Sequence, residues 1–149
     1  MGLLIAPWPV MGALMAPVAG VLSDRFSAAV MGGVGMALLA GGIAGVAALP
    51  ADVTRGAVML FMACCGVGFG LFLSPNQRTL MASAPTSRGG SASGVLGISR
   101  VLGQAIGATF VALALSISTQ AGAGAVLWVG VGFAVLSCGL SLSRLVATT

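Results

Sequence analysis

The chain has 149 residues, 58% of them hydrophobic, with 24 glycines, 5% charged residues and a net charge of +4. A soluble domain carries about 25% charged residues, and a disordered one is poor in apolar residues, so the composition excludes both. It indicates an integral membrane protein.

A run of about twenty apolar residues crosses a bilayer as a helix. Five such windows, bounded by polar residues, Pro or paired Gly, follow in chain order. The first, residues 3–22, closes at Ser23-Asp24-Arg25 and carries Pro7, Pro9 and Pro17. A membrane helix tolerates such prolines where neighbours or water satisfy the freed carbonyls, so a bent helix lining a cavity is expected. This window lacks a basic N-terminal region and exceeds the usual apolar stretch of about 7–15 residues, so it does not read as a cleaved signal peptide. The second window, residues 30–49, stops at Pro50. The third, residues 57–81, is apolar to Leu73 and passes into Ser74-Pro75-Asn76-Gln77-Arg78, where a helix interrupted by Pro exposes amide side chains. The fourth covers residues 92–117, and the fifth covers residues 124–146 with Arg144 in its last turn.

Arginines of short loops collect on the cytoplasmic side. Arg25, Arg78, Arg88 and Arg144 fall on one side of the five windows, and Arg55, partly offset by Asp52, on the other. The N-terminus is therefore expected outside and the C-terminus in the cytoplasm of a multi-pass protein of the cell (inner) membrane. A chain that starts outside with Met and no leader suggests that something upstream is missing.

Three constellations carry chemistry. In Gly20-Val-Leu-Ser-Asp24-Arg25, the carboxylate suits the positive end of a neighbouring helix and the guanidinium suits a carboxylate across a cleft. The alternative is a solvated hairpin. Pro75 and Asn76 lead through Ala84-Pro85 and Arg88-Gly89-Gly90 to a Gly/Ser-rich helix start, a ready place for a capping carboxylate or else an ordinary interfacial turn. Arg100 and Gln104 lie four residues apart on one helix face. Counted from Ala92, Arg100 is about 12 Å along at 1.5 Å per residue. An Arg at that depth marks a cavity or bundle interior, unless its long side chain reaches back to the interface.

The pairs Gly41/Gly45, Gly66/Gly70, Gly90/Gly94 and Gly103/Gly107 let helices approach closely. The glycine runs sit inside membrane windows and have no lysine, so they are not phosphate loops. Cys64, Cys65 and Cys138 read as small packing residues, and with no His and no acidic cluster there is no metal centre and no cofactor. Arginines spaced singly and the absence of Tyr argue against nucleic acid. No nucleophile–base or acid pair suggests an enzyme. The two acids, Asp24 and Asp52, fall in loops, which leaves this chain alone poorly equipped for proton coupling.

The ordered set Gly20-x-x-x-Asp24-Arg25, Gly66-x-Gly68-x-Gly70, Pro75-Asn76, Ala84-Pro85, Arg88-Gly89, Ser93-Gly94, Arg100, Gly103-Gln104 and Gly107 resembles the C-terminal half of major facilitator superfamily exporters. It is most similar to the drug/proton antiporter branch typified by EmrB and QacA. The hairpin departs from the family pattern, which continues with Gly and basic residues where this chain has Ser27-Ala28-Ala29. The resemblance implies an all-α membrane protein whose five transmembrane helices form most of one six-helix bundle, with substrate bound between two halves. It implies a gating loop at Gly20, Asp24 and Arg25. It places Pro75, Asn76, Arg100 and Gln104 at the cavity, and helix packing at Gly66, Gly70, Gly94, Gly103 and Gly107. The first, third and fourth helices would line the cavity, with the second and fifth peripheral.

The expected function is transport of small molecules, with export of drug-like or amphipathic compounds, as a fragment of a proton-coupled antiporter. Its partners would be a small-molecule substrate, the lipid bilayer and a missing N-terminal half or another membrane protein. The alternative is a complete small membrane protein acting as a structural or regulatory subunit.

Overall fold

A computed structural model of the chain describes residues 5–50, 54–83, 85, 89–117 and 121–146. Its regular elements are five α-helices: α1 (Pro7–Leu22), α2 (Ala28–Ala48), α3 (Arg55–Ser83), α4 (Gly89–Ile117) and α5 (Ala121–Val146). They fall on the five apolar windows. Helices α2 to α5 each begin slightly before their window, because small or polar residues (Ala28, Arg55, Gly89, Ala121) join the first turn. All four of these are long and apolar enough to cross a membrane, whereas α1 is a shorter apolar helix of 16 residues.

Local chemistry explains the ends. Pro7 opens α1, where its missing N–H costs nothing. Ser27 caps α2, its hydroxyl accepting from the Val30 N–H at 3.4 Å. The Ser27-Ala28-Ala29 departure from the family pattern therefore serves as a helix start. Replacing Ser27 with Ala is expected to cost about 0.5–1 kcal/mol, read as a lowered melting temperature in detergent. Leu49, held extended ahead of Pro50, ends α2.

One expectation is corrected. Pro75 does not interrupt its helix, for α3 runs unbroken from Arg55 to Ser83 with Pro75 inside it. Pro75 forgoes the bond to the Leu71 carbonyl, but its ring is wholly buried against neighbouring elements, and packing carries the helix through.

The chain divides into two units, Met1–Asn76 with Leu127–Thr149, and Gln77–Val126. In the first, glycines set the order of helices. Successive helical residues turn by about 100°, so Gly66 and Gly70 face one way and Gly68 the opposite way. A Cβ at Gly66 would run into the Trp8 carbonyl oxygen, and one at Gly70 would stand 2.8 Å from Met15 Cβ, so this face packs on α1. Trp8 and Phe69 add an edge-to-face ring contact at 6.0 Å. On the other side, a Cβ at Gly68 would lie 2.5 Å from the Gly35 carbonyl oxygen, so here α3 touches α2 backbone to backbone. Beyond α2 comes α5, where a Cβ at Gly32 would stand 2.5 Å from Ser141 Oγ and one at Gly33 2.8 Å from Leu142. Met36, Ala40 and Ala134 form the core of this side with Leu39, Phe72 and Cys138 packed around them.

The resemblance puts α2 at the periphery of a bundle, yet within this unit it is the helix that α3 and α5 enclose. Its glycines strip both faces of side chains and let two neighbours close in. Hydroxyls elsewhere return to their own helix: Ser23 to Gly20, Ser83 to Leu80, Thr109 to Ala105, Ser116 to Leu113. That satisfies them at little cost in an apolar setting. Side chains facing α2 instead cross over: Ser141 Oγ donates to the Ala29 carbonyl at 3.0 Å and Cys138 Sγ to the Gly33 carbonyl at 3.2 Å. Cys65 Sγ approaches the Leu39 carbonyl at 3.8 Å.

The second unit is dominated by α4. From Gly89 to Ser116 every residue is exposed except the half-buried Ala92, Leu96 and Ala114.

Candidate functional site

At the α1–α2 hairpin the chain turns on a ladder of short backbone bonds, Arg25 N–H to Leu22 O at 3.0 Å and Phe26 N–H to Leu22 O at 2.9 Å. Ser23 Oγ closes back on Gly20 O at 2.7 Å. This leaves Asp24 and Arg25 exposed side by side. Among the described residues, no atom beyond its own helix turn and chain neighbours lies within 4 Å of a Cβ placed on Gly20.

Pro75 and Asn76, expected together at a cavity wall, have different surroundings. Pro75 is sealed inside the first unit. Asn76 lines a crevice between α2, α3 and α5, together with Gly32, Ser137 and Ser141.

Arg100 and Gln104 belong to the second unit, both exposed on α4. Because α4 begins at Gly89, eleven residues before Arg100, the guanidinium side chain springs from a point about 16 Å along the helix. That is three residues further along the helix than the count from Ala92 gave. Helical spacing gathers Ser93, Gly97, Arg100, Gln104 and Gly107 on one side, and Val95, Ile98, Leu102, Ile106 and Leu113 on the opposite side. Helix α4 thus has one polar, bare face and one greasy face.

Of the packing glycines, Gly66 and Gly70 are engaged with α1, while a Cβ on Gly94, Gly103 or Gly107 would meet no atom of another helix within 4 Å among the described residues. Sequence reasoning read Cys138 as a packing residue and quoted Gly68 in a motif, but it did not single out Gly35, Gly42 or Gly68 for helix contact, nor Cys138 and Ser141 for bonds across to α2. The available signal was the seven-residue spacing of Gly35 and Gly42, which keeps both on the α3-facing side; the Gly41/Gly45 pair is engaged only at Gly45, against the Phe61 ring. Cys65 is buried and Cys64 and Cys138 half-buried, all as free thiols. Among the described residues no group of three or more His, Cys, Asp or Glu side chains gathers as metal ligands. Arg88 and Asp52 lie outside the described residues, as does Ala84, and Arg144 is placed only as a position in the last turn of α5.

The sequence profile of the Major Facilitator Superfamily matches residues 1–108. The uncharacterized transporter YebQ of Escherichia coli (strain K12) is 46% identical over 115 residues, covering 77% of this chain and 25% of that protein. The riboflavin transporter RibZ of Clostridioides difficile (strain 630) is 29% identical over 109 residues, 73% of this chain and 24% of that protein. The multidrug resistance protein Stp of Mycobacterium tuberculosis is 30% identical over 106 residues, 71% of this chain and 20% of that protein. The chain thus spans a quarter or less of the length of these curated relatives. No solved structure gives a significant match.

Proposed function

The chain belongs to the major facilitator superfamily of membrane transporters, and from that premise we propose that it supplies five helices of the C-terminal bundle of a drug/proton antiporter-like exporter of small amphipathic compounds. The observation that carries this reading is the polar face of α4. An arginine about 16 Å along a membrane-crossing helix is costly in lipid unless it meets a cavity or a bundle interior. Arg100 and Gln104 would then face substrate, and the bare positions Gly97 and Gly107 would leave room beside them. Two relatives, a riboflavin transporter and a multidrug resistance protein, support a small-molecule substrate. The Asp24-Arg25 hairpin serves as the gating loop on the cytoplasmic side with Arg78, Arg88 and Arg144, so that α1 begins outside and α5 ends inside. Helices supplied from beyond this sequence complete the cavity.

The test is a chimera in which this chain replaces the matched segment of the E. coli relative, assayed in proteoliposomes with ethidium and norfloxacin beside the parent. The chimera is expected to move any probe the parent moves. The chain by itself is expected to show no flux driven by a pH gradient, because its two acids lie in loops. A chimera that inserts but moves neither probe, while its parent moves one, would overturn export. Robust proton-driven flux from the chain alone would overturn the part-transporter reading.

A further inference from the structure

A crevice of about 180 Å³ opens between α2, α3 and α5 in the first unit. Gly32 forms part of its wall, where the absence of a side chain lets Ser141 Oγ come close. Its walls have two chemistries. Phe72 and Ala28 are apolar, while Asn76 brings an amide and Ser137 a hydroxyl. Ser141 commits its proton to the Ala29 carbonyl, so its oxygen faces the space as an acceptor. Among the described residues no charged side chain lines the crevice, and the groups that do suit a neutral, hydroxyl-bearing guest that both donates and accepts. At ~30 Å³ per water the volume equals about six waters, room enough to admit a three-carbon polyol.

The rim adds positive charge and grease. Ala28 is the first residue of α2, at the positive end of its dipole. Arg25 stands exposed three residues earlier, within ~11 Å of Ala28 along the chain. The outer lip is Leu140, 68% exposed on a helix apolar and long enough to cross a membrane.

We infer that this crevice binds an anionic glycerophospholipid through a hydroxylated headgroup. The glycerol head enters between Asn76 and Ser137, the phosphate rests by the α2 N-terminus and Arg25, and an acyl chain leaves over Leu140. A soluble polyol would satisfy the inner groups but would leave the positive rim and the apolar lip unused. The inference is independent of what the transporter carries.

The test is native mass spectrometry of the full chain, delipidated and then offered phosphatidylglycerol, phosphatidylethanolamine or phosphatidic acid with identical acyl chains. Phosphatidylglycerol should be retained about fivefold more than either of the others, as one net hydrogen bond provides. Asn76→Leu, which fills the polar end with hydrocarbon, should erase that preference. Ser137→Ala, a milder change, should reduce it, with helix content unchanged by circular dichroism in both variants. Arg25→Gln should weaken phosphatidylglycerol and phosphatidic acid alike. Equal retention of these two lipids would mean that charge alone is read, and a preference that survives Asn76→Leu would place the lipid elsewhere. Displacement of phosphatidylglycerol by free glycerol with no lipid preference would point to a soluble polyol. Each of these three results would overturn the inference.

Discussion

Gly68→Ala is expected to separate α2 from α3 and to lower the folded yield of the chain. The added carbon would stand 2.5 Å from the Gly35 carbonyl oxygen and 2.7 Å from the Leu39 backbone nitrogen. Both are backbone atoms of a helix that α5 holds from behind, so neither can swing aside as the end of a side chain could. Overpacking of this kind costs about 1–3 kcal/mol, and rigid partners push it towards the upper end. Gly35→Ala should cost as much, with its carbon 2.6 Å from the Gly68 carbonyl oxygen. The double variant should cost less than the sum, because both changes strain one contact. Gly103→Ala is the control: among the described residues it meets no atom of another helix, and it should leave stability unchanged or raise it by about 0.5–1 kcal/mol through helix propensity. Thermal unfolding in detergent, with monodispersity on gel filtration, reads all four. Equal melting temperatures for Gly68→Ala and Gly103→Ala would refute the backbone contact.

Arg100→Ala, introduced into the chimera, is expected to cut flux at least tenfold while leaving membrane insertion intact. Losing a charged partner that recognises substrate in a partly dry cavity costs about 2 kcal/mol or more, which exceeds a factor of ten. Arg100→Lys keeps the charge but not the planar fork, and should retain part of the flux. Flux unchanged by Arg100→Ala would make Arg100 an anchor that reaches the interface. Gln104→Ala should give a smaller loss, since only a neutral hydrogen-bonding group is removed.

The helices were legible because long apolar runs admit one solution in a bilayer. Their ends were nearly so, since Ser27 and Pro50 act locally. The passage of α3 through Pro75 was not legible: a proline's effect depends on whether packing compensates the lost bond, and the compensation comes from elsewhere in the chain. Gly66 and Gly70 were visible as a pair because small residues four apart share a face. Gly68 was not singled out for packing because its significance lies in what stands behind the helix. Asn76 illustrates the same limit at the candidate site. Its amide was visible as an unusual residue in an apolar span, but rotation by one residue decides whether it meets a central cavity or the crevice beside α5. Ser141 looked like any serine that bonds back to its own helix, and only the proximity of α2 distinguishes it. Arg100 was legible as an anomaly, a charged residue inside a long apolar helix.

The thiol and hydroxyl that α5 extends to α2 also impose a schedule on biosynthesis. Cys138 reaches back 105 residues to Gly33, and Ser141 reaches 112 residues to Ala29. At a ribosomal pace of about 5–20 residues per second, some 5–20 seconds separate the emergence of the two sides of that contact. During that interval α2 has α3 but not α5, and its Gly32-Gly33 face lies open to lipid, to the insertion machinery or to another nascent chain. A stall before α5 would therefore release a product with a bare, sticky helix flank, the sort of surface that membrane quality control removes.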